Sequence, residues 1–365
     1  MYMCSSPLKK RRLCPMSRRI ELHFCLLLVV VVPFVVRTVH SVRQSRMFTA
    51  SSAHFGLKNV SHDLCLNRVI SYHPSEIELS WMKAISNVKS DEPSWEKGCQ
   101  KVRAEESALL EVVSAIHRHM RKQKFSERHL SSHQVEDCTG VKRTVYLEPL
   151  VSFLRHPLAL CVAGDDRAYF RDKSYLLVPH QEEVTHSASY KWLFDAGAST
   201  YNSGAGGASQ SWFVNTYRAR GIEFDRIIGW EARPMDPKSQ WSTVPDDIKR
   251  KTSWYNIPAN ATVDHADNPL TYIKKLTKPE DFVVFKLDID TPQVEVAIVQ
   301  QILNDAELHT LIDEFYFEHH VTGSPMQWHG WGNLSTVETP LNDITDSYEL
   351  FSYLRTKGIR SHSWV

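Results

Sequence analysis

From about residue 190 onward, short apolar runs alternate with segments in which apolar residues recur every three or four positions. The short runs predict β-strands, and the periodic segments predict helices. The predicted strands are 190–199, 225–232, 252–259, 282–288, 311–320 and 359–365. The predicted helices are 207–221, 268–277, 291–303 and 344–358. This alternation is typical of a doubly wound α/β fold, in which helices cover both faces of a mostly parallel sheet.

Residues at the ends of the predicted helices support these bounds. Thr291 and Pro292 stand where a helix favours a capping residue and a proline at its first position. Gly221 and Gly358 follow two other helices, where glycine accepts the left-handed conformation that often ends a helix.

The region from 47 to 140 has a different pattern, with many polar and histidine residues and no strong strand signal. One helix is predicted there, at about 104–122, from apolar residues at helical spacing. We therefore predict a partly helical luminal stem or N-terminal subdomain over 47–140. A catalytic domain over 141–365 follows it.

The apolar run 22–36 is preceded by six lysine and arginine residues. Its fifteen residues would span roughly 22 Å as a helix, somewhat less than the ~30 Å hydrocarbon core. The charge bias places the N-terminus in the cytoplasm and the rest of the chain in the lumen. We predict a basic cytoplasmic tail over 1–21 and a transmembrane signal anchor over 22–36, in a single-pass type II protein of the Golgi or endoplasmic reticulum. A cleaved signal peptide is the alternative.

The cysteines and the glycosylation sequons fit a luminal location. Four cysteines follow the apolar run and allow three pairings into two bridges, with unpaired thiols as the alternative: Cys65, Cys99, Cys138 and Cys161. Three sequons predict a glycoprotein, and they begin at Asn59, Asn260 and Asn333.

The charge balance of the chain argues against nucleic acid as a partner. The formal net charge is +1, and 23% of the residues are charged, so no basic excess is present to neutralise phosphates.

Candidate ligand-binding residues follow the first two predicted strands. In open parallel sheets, ligands bind beyond the carboxyl ends of the strands. The first strand leads into Asp195, Gly197 and Ser199, and a glycine-rich loop that begins at Gly204 precedes the next helix. Glycines allow close approach of the backbone to a ligand, and a helix N-terminus offers free N–H groups. The second strand ends at Glu231, where a carboxylate can accept hydrogen bonds from ribose hydroxyls.

The fourth and fifth strands carry the residues that could perform chemistry. Because side chains alternate along a strand, Lys286, Asp288 and Asp290 are predicted to share one face. The fifth strand would bring three further polar residues to the same edge of the sheet, namely Glu318, His319 and His320. Together these residues predict an acid/base site or a hard-cation site. The candidate metal ligands are Asp288, Asp290 and His320.

Four segments in order resemble the FkbM-type S-adenosylmethionine-dependent methyltransferases: FDAGAS (194–199), WEA (230–232), VVFKLDIDTPQVE (283–295) and IDEFYFEHH (312–320). The resemblance implies a Rossmann-like class I methyltransferase fold with a seven-stranded sheet. It also implies that Asp195, Gly197 and Ser199 contact the methionine part of the cofactor and that Glu231 holds the ribose. Asp288 or Asp290 would then lie beside the methyl group, with Glu318 and His319 behind.

The expected function is transfer of a methyl group from S-adenosylmethionine to an oxygen, with a sugar hydroxyl of a glycan or a small molecule as acceptor. A base, or a bound divalent cation, would have to activate that hydroxyl. Two alternatives remain open at this point. One is a type II Golgi glycosyltransferase in which Asp288 and Asp290 bind Mn²⁺ and a nucleotide-sugar, and the other is a non-catalytic protein with this fold.

Overall fold

The structure is a computed structural model that describes residues 68–364, apart from 90, 138, 160, 162–170, 185–189 and 203–208. The described residues belong to one compact unit, Ser61–Val365. Among them, none of the helices is long and apolar enough to span a membrane. Several predicted features lie outside the described residues: the cytoplasmic tail, the apolar run 22–36, Asn59, Cys65, Cys138 and Gly204.

Short strands and short to medium helices make up most of the described part of the chain. The strands are β1 Arg68–His73, β2 Ser131–Glu136, β3 Lys142–Leu147, β4 Lys191–Ala196, β5 Arg226–Trp230, β6 Thr252–Tyr255, β7 Phe282–Leu287, β8 Glu314–Phe317 and β9 Arg360–Ser363. The helices are α1 Glu76–Ile85, α2 Glu92–Ala104, α3 Glu106–Met120, α4 Gln181–Val184, α5 Ser209–Arg218, α6 Pro237–Ser242, α7 Asp246–Lys249, α8 Pro269–Leu276, α9 Pro292–Asn304, α10 Ala306–Leu311, α11 Met326–His329 and α12 Ile344–Thr356.

The larger sheet confirms the predicted parallel α/β fold. In the described residues it has six strands in the order β6-β5-β4-β7-β8-β9, and every neighbouring pair is parallel. Each strand and helix predicted from residue 190 onward has a counterpart. The resemblance implies seven strands where the described residues form six. The strand order reverses between β4 and β7, which makes the carboxyl ends of these two strands the switch point of the sheet.

Helices pack on both faces of this sheet, as a doubly wound fold requires. Side chains alternate along β7, so that Phe285 faces one apolar cluster and Val284 the other. The first cluster includes residues of α8, α9 and α12, and the second includes residues of α5 and α7. The central strands are therefore apolar on both sides, which explains the continuous hydrophobic runs in the sequence.

A second, antiparallel sheet has the order β1-β2-β3. The predicted helix at 104–122 is confirmed as α3, but α1, α2 and all three strands of this small sheet were not predicted. Along β2 the buried positions alternate with half-buried ones, yet two of the buried residues are Ser131 and His133. Polar residues on the inner face hid the alternation that normally identifies a strand.

Arg355 on α12 joins the small sheet to the large one. Its buried guanidinium lies 3.4 Å from a carboxylate oxygen of Glu78 and 3.0 Å from one of Glu148. It also donates to the carbonyl of Ser361 and to the hydroxyl of Tyr72. Residues far apart in the chain, including two carboxylates, therefore share one buried cation.

A disulfide bond links Cys99 of α2 to Cys161, 62 residues further along the chain. It selects one of the pairings that the sequence left open for these two cysteines. Bridges of this kind are common in proteins of oxidising compartments and rare in cytosolic ones.

His133 leads to a prediction about the pH dependence of stability. Its ring donates to the carbonyl of Arg355 over 2.9 Å, and burial, reinforced by Arg360 and Arg355, lowers its pKa from 6.5 to about 3. Between these values the unfolded chain binds a proton that the folded chain does not, so the free energy of unfolding falls as the pH falls. His133→Gln keeps the donor and removes the titration. In urea unfolding, the free energy of unfolding of the variant should rise by about 2 kcal/mol relative to that of the native chain as the pH is lowered from about 7 to about 5. A difference that stays constant over this range would contradict the assignment.

Candidate active site

A cavity of about 350 Å³ lies at the carboxyl ends of the central parallel strands. It includes the switch point between β4 and β7, where ligands bind in folds of this class. The lining residues are Gly197, Ser199, Ser209, Trp230, Glu231, Ala232, Arg233, Pro258, Ala259, Lys286, Asp288, Ile289, Asp290, Thr291, Val294, Glu318 and Trp364. Most of the residues predicted at strand ends are therefore brought together.

The turn after β4 requires glycine at position 197. The φ angle of Gly197 is +83°, and a Cβ atom placed there would lie 1.6 Å from the carbonyl oxygen of Asp288. The amides of Gly197 and Ala198 both donate to the carbonyl of Trp230. The turn is thus packed between the ends of β5 and β7, and its backbone forms part of the cavity wall.

Lys286 is the buried cation between two carboxylates. Its ammonium lies 3.2 Å from Asp195 and 3.3 Å from Asp288, and it donates to the carbonyl of Gly197 over 2.8 Å. Burial lowers the pKa of Lys286, but the two carboxylates outweigh burial and raise it overall. Asp195 is fully buried and also accepts from the hydroxyl of Ser209. Asp195 therefore holds Lys286 and the start of α5 in place.

Asp288 differs from Asp195 because its carboxylate lines the cavity. Burial, reinforced by Glu318, Glu295 and Asp290, raises the pKa of Asp288 to about 7 against the opposing effect of Lys286. A carboxylate in this state can take up a proton near neutral pH, which is the property expected of a general base.

Glu231 is held at the end of β5 by backbone amides. Its two carboxylate oxygens accept from the N–H of Ser199 over 2.9 Å and the N–H of Arg233 over 2.8 Å. Ser199 has a left-handed φ of 48°, and this conformation brings its amide to the carboxylate. Each oxygen keeps a further lone pair, so Glu231 can still accept from a ligand hydroxyl in the cavity.

Glu318 follows β8 and is anchored through one of its oxygens. That oxygen accepts from the guanidinium of Arg155 over 2.8 Å and from the indole N–H of Trp331 over 2.9 Å. Burial raises the pKa of Glu318, but Arg155 and His320 outweigh burial and lower it to about 2. Glu318 is therefore ionised, and its second oxygen is directed toward His320.

His320 lies among three carboxylates. Its Nε2 is 3.6 Å from Asp290 and 3.7 Å from Glu318, and its Nδ1 is 3.4 Å from Glu295. Burial lowers the pKa of His320, but these carboxylates outweigh burial and raise it to about 10. Of the three candidate metal ligands, Asp290 and His320 are brought together, while Asp288 pairs with Lys286.

The neighbouring His319 points away from the cavity. One ring nitrogen bonds to the carbonyl of Leu341 and the other to the hydroxyl of Ser347, and the ring stacks on Phe317. Both nitrogens therefore have structural partners, and burial lowers the pKa of His319 to about 4. We accordingly leave His319 out of the proposed chemistry.

The structure adds residues that the sequence reasoning missed. Arg155 donates to Glu318 and to the carbonyl of Trp364, which itself lines the cavity. The ammonium of Lys173 lies 4.8 Å from the ring centre of Trp364, and burial, reinforced by Arg155, lowers its pKa to about 8. Glu295 bonds to the amide of Ile289 as well as facing His320. A buried acid in the first turn of a predicted helix was a usable signal for Glu295, whereas Arg155 and Lys173 lie outside every predicted element.

The chain was compared with models of protein families, with curated proteins and with solved structures. None of these comparisons found a match.

Proposed function

We propose that the protein is an S-adenosylmethionine-dependent O-methyltransferase of the secretory pathway that acts on a hydroxyl of a glycan or small molecule. The observation that carries the proposal is the position of Glu231. This carboxylate lines the same cavity as the Gly197 turn and Asp288, at the switch point of the sheet. Because Glu231 follows β5, the second strand of the parallel sheet along the chain, its carboxylate is suited to bind the hydroxyls of a ribose.

The walls of the cavity suggest how such a cofactor would be bound. Glu231 would accept from the ribose hydroxyls, and Pro258 and Ala259 after β6 would lie near the adenine. The backbone of Gly197 and Ser199 would contact the methionine part. S-Adenosylmethionine supplies a methyl group that is already electrophilic, so the chain has to orient the acceptor and remove its proton.

Asp288 is the proposed base for the acceptor hydroxyl. Lys286 fixes this carboxylate at the edge of the cavity, and Asp195 fixes Lys286 from the buried side. The acceptor proton would pass to Asp288 as the acceptor oxygen takes the methyl group. A luminal site for this reaction is supported by the Cys99–Cys161 bridge and by the apolar run 22–36.

Glu231→Gln tests the cofactor assignment. We expect the affinity for S-adenosylhomocysteine to fall at least tenfold, since a hydrogen bond to a charged group contributes about 1.5–3 kcal/mol. Binding to the purified full-length chain would be measured by calorimetry. The control is Glu338→Gln, because Glu338 is exposed and does not line the cavity. Equal binding by native chain and Glu231→Gln would contradict the ribose assignment.

Asp288→Asn tests the base separately from the cofactor. S-Adenosylhomocysteine should bind nearly as well as to the native chain, whereas methyl transfer to acceptor sugars should be lost. A thermal shift with Mn²⁺ and UDP or GDP that exceeds the shift with Mn²⁺ alone, and none with S-adenosylhomocysteine, would instead favour a nucleotide-sugar enzyme. A ligand at about 100 times its dissociation constant adds about 2.7 kcal/mol, which such a measurement detects.

A further inference from the structure

Asp290, Glu318 and His320 surround a point at the edge of the cavity. One ligating atom from each lies within 4.8 Å of the others. The imidazole Nε2 is 3.6 Å from the Asp290 oxygen and 3.7 Å from the Glu318 oxygen. Two metal–ligand bonds of about 2.1 Å place their donor atoms about 3.4 Å apart at a tetrahedral angle and at most about 4.2 Å apart. The distances from Nε2 to the two carboxylate oxygens are therefore long for hydrogen bonds and close to the separation of two donor atoms that bind the same ion.

The histidine of this cluster is buried among carboxylates. The side chain of His320 is 1% exposed, and neither ring nitrogen makes a hydrogen bond to a described residue. One carboxylate oxygen of the buried Glu295 also makes no hydrogen bond to a described residue. Buried polar atoms are nearly always satisfied, so this imidazole must either pair as a cation with the carboxylates around it or bind a ligand.

Neighbouring residues fix the positions of His320 and Glu318, as neighbouring residues commonly do around the ligands of a metal ion. Glu295 faces Nδ1 of His320 at 3.4 Å, and its other oxygen is fixed by the amide of Ile289. Arg155 and Trp331 both bond to the first oxygen of Glu318 and leave the second directed at the cluster. A carboxylate behind a ligating histidine sets the orientation of the ring and raises its basicity.

We propose that Asp290, Glu318 and His320 bind a divalent first-row cation at the wall of the cavity. Two carboxylates and one imidazole form a mixed oxygen and nitrogen donor set that suits Mn²⁺ or a similar ion. Asp290 and Glu318 line the cavity, so the remaining coordination positions would face a bound acceptor. This ligand set replaces the Asp288 predicted from the sequence with Glu318. The site shares the cavity with the proposed methyl transfer but does not depend on it.

Another arrangement would balance the same charges without an ion. A protonated His320 could pair with Asp290, Glu295 and Glu318 as a purely structural cation. The two arrangements differ in what they bind, because only the first takes up a divalent cation.

Titration of the full-length chain with Mn²⁺ alone distinguishes them. We expect one Mn²⁺ per chain by calorimetry. Asp290→Asn should weaken binding at least tenfold, and its side chain is 62% exposed, so the variant should fold. Asp264→Asn is the matched control, because Asp264 is also an exposed aspartate with a left-handed φ, 60° against 53° for Asp290.

Two further variants separate this proposal from the proposed function. His320→Gln should lose Mn²⁺, while Glu231→Gln should retain it and lose S-adenosylhomocysteine. Asp290→Asn should in turn retain S-adenosylhomocysteine. The metal site is overturned if the native chain binds no Mn²⁺ at about 1 mM, or if Asp290→Asn and His320→Gln bind it as the native chain does.

Discussion

Gly197→Ala is expected to destabilise the fold by about 4 kcal/mol or more and to abolish binding of S-adenosylhomocysteine. The added methyl group would overlap the carbonyl oxygen of Asp288, which is backbone and cannot move aside as a flexible side chain could. The left-handed φ adds about 1–2 kcal/mol of strain for any residue other than glycine. To relieve the overlap, the ends of β4 and β7 would have to separate, and with them Lys286 and the carboxylates that it holds.

Gly140→Ala is the matched control for this variant. Gly140 has nearly the same φ, +81°, but no atom lies within 4 Å of an added Cβ. It should therefore show the strain of the left-handed conformation without the overlap. Guanidinium unfolding would measure both variants, and calorimetry would measure ligand binding. If Gly197→Ala lost no more stability than Gly140→Ala, the close approach of the turn to Asp288 would be refuted.

Arg355→Met is expected to lower the free energy of unfolding by about 3–5 kcal/mol. Methionine fills most of the volume, but the carboxylates of Glu78 and Glu148 would remain buried without their shared cation. The carbonyl of Ser361 would also lose its donors. The loss should affect the whole compact unit, since α1, the residue after β3, and β9 all contact Arg355.

The control for Arg355 is Arg218→Met. Arg218 also pairs with two carboxylates, Glu223 and Asp247, but its side chain is 41% exposed. Exposed pairs contribute about 0–1 kcal/mol, so this variant should unfold near the native midpoint. Similar losses of stability in the two variants would show that the buried ion pairs of Arg355 do not contribute the expected free energy of unfolding.

The sequence predicted the large sheet well because its strands and helices depend on local periodicity. The helix after β7 begins at Pro292, as predicted. Thr291 stands at the capping position, yet its hydroxyl bonds to the carbonyl of Ile289 and makes no side-chain capping bond. The small sheet was missed because polar residues of β2 face its core, and no local pattern reports what those residues bind.

The sequence predicted the site only where the alternation of side chains along a strand determines which residues lie on the same side. Alternation correctly put Lys286 beside Asp288 and put Phe317 on the same side as His319. It failed at Asp290, because β7 ends at Leu287 and the left-handed φ of Asp290 turns that residue toward His320. Contacts such as Arg155 to Glu318 join residues 163 positions apart, and no pattern in either segment encodes such a partner.

The pairing of β4 with β7 also has a kinetic consequence. Lys286 donates to the carbonyl of Ala196 from 90 positions further along the chain, and β5 and β6 both lie between them in the sequence. Closing so long a loop is entropically slow, and central parallel strands pair late for this reason. A chain that has folded only as far as β6 therefore has Glu231 but lacks the cavity carboxylates that follow β7 and β8. Binding of a small ligand would report that folding is complete, and it would distinguish native chains from partly folded ones during maturation.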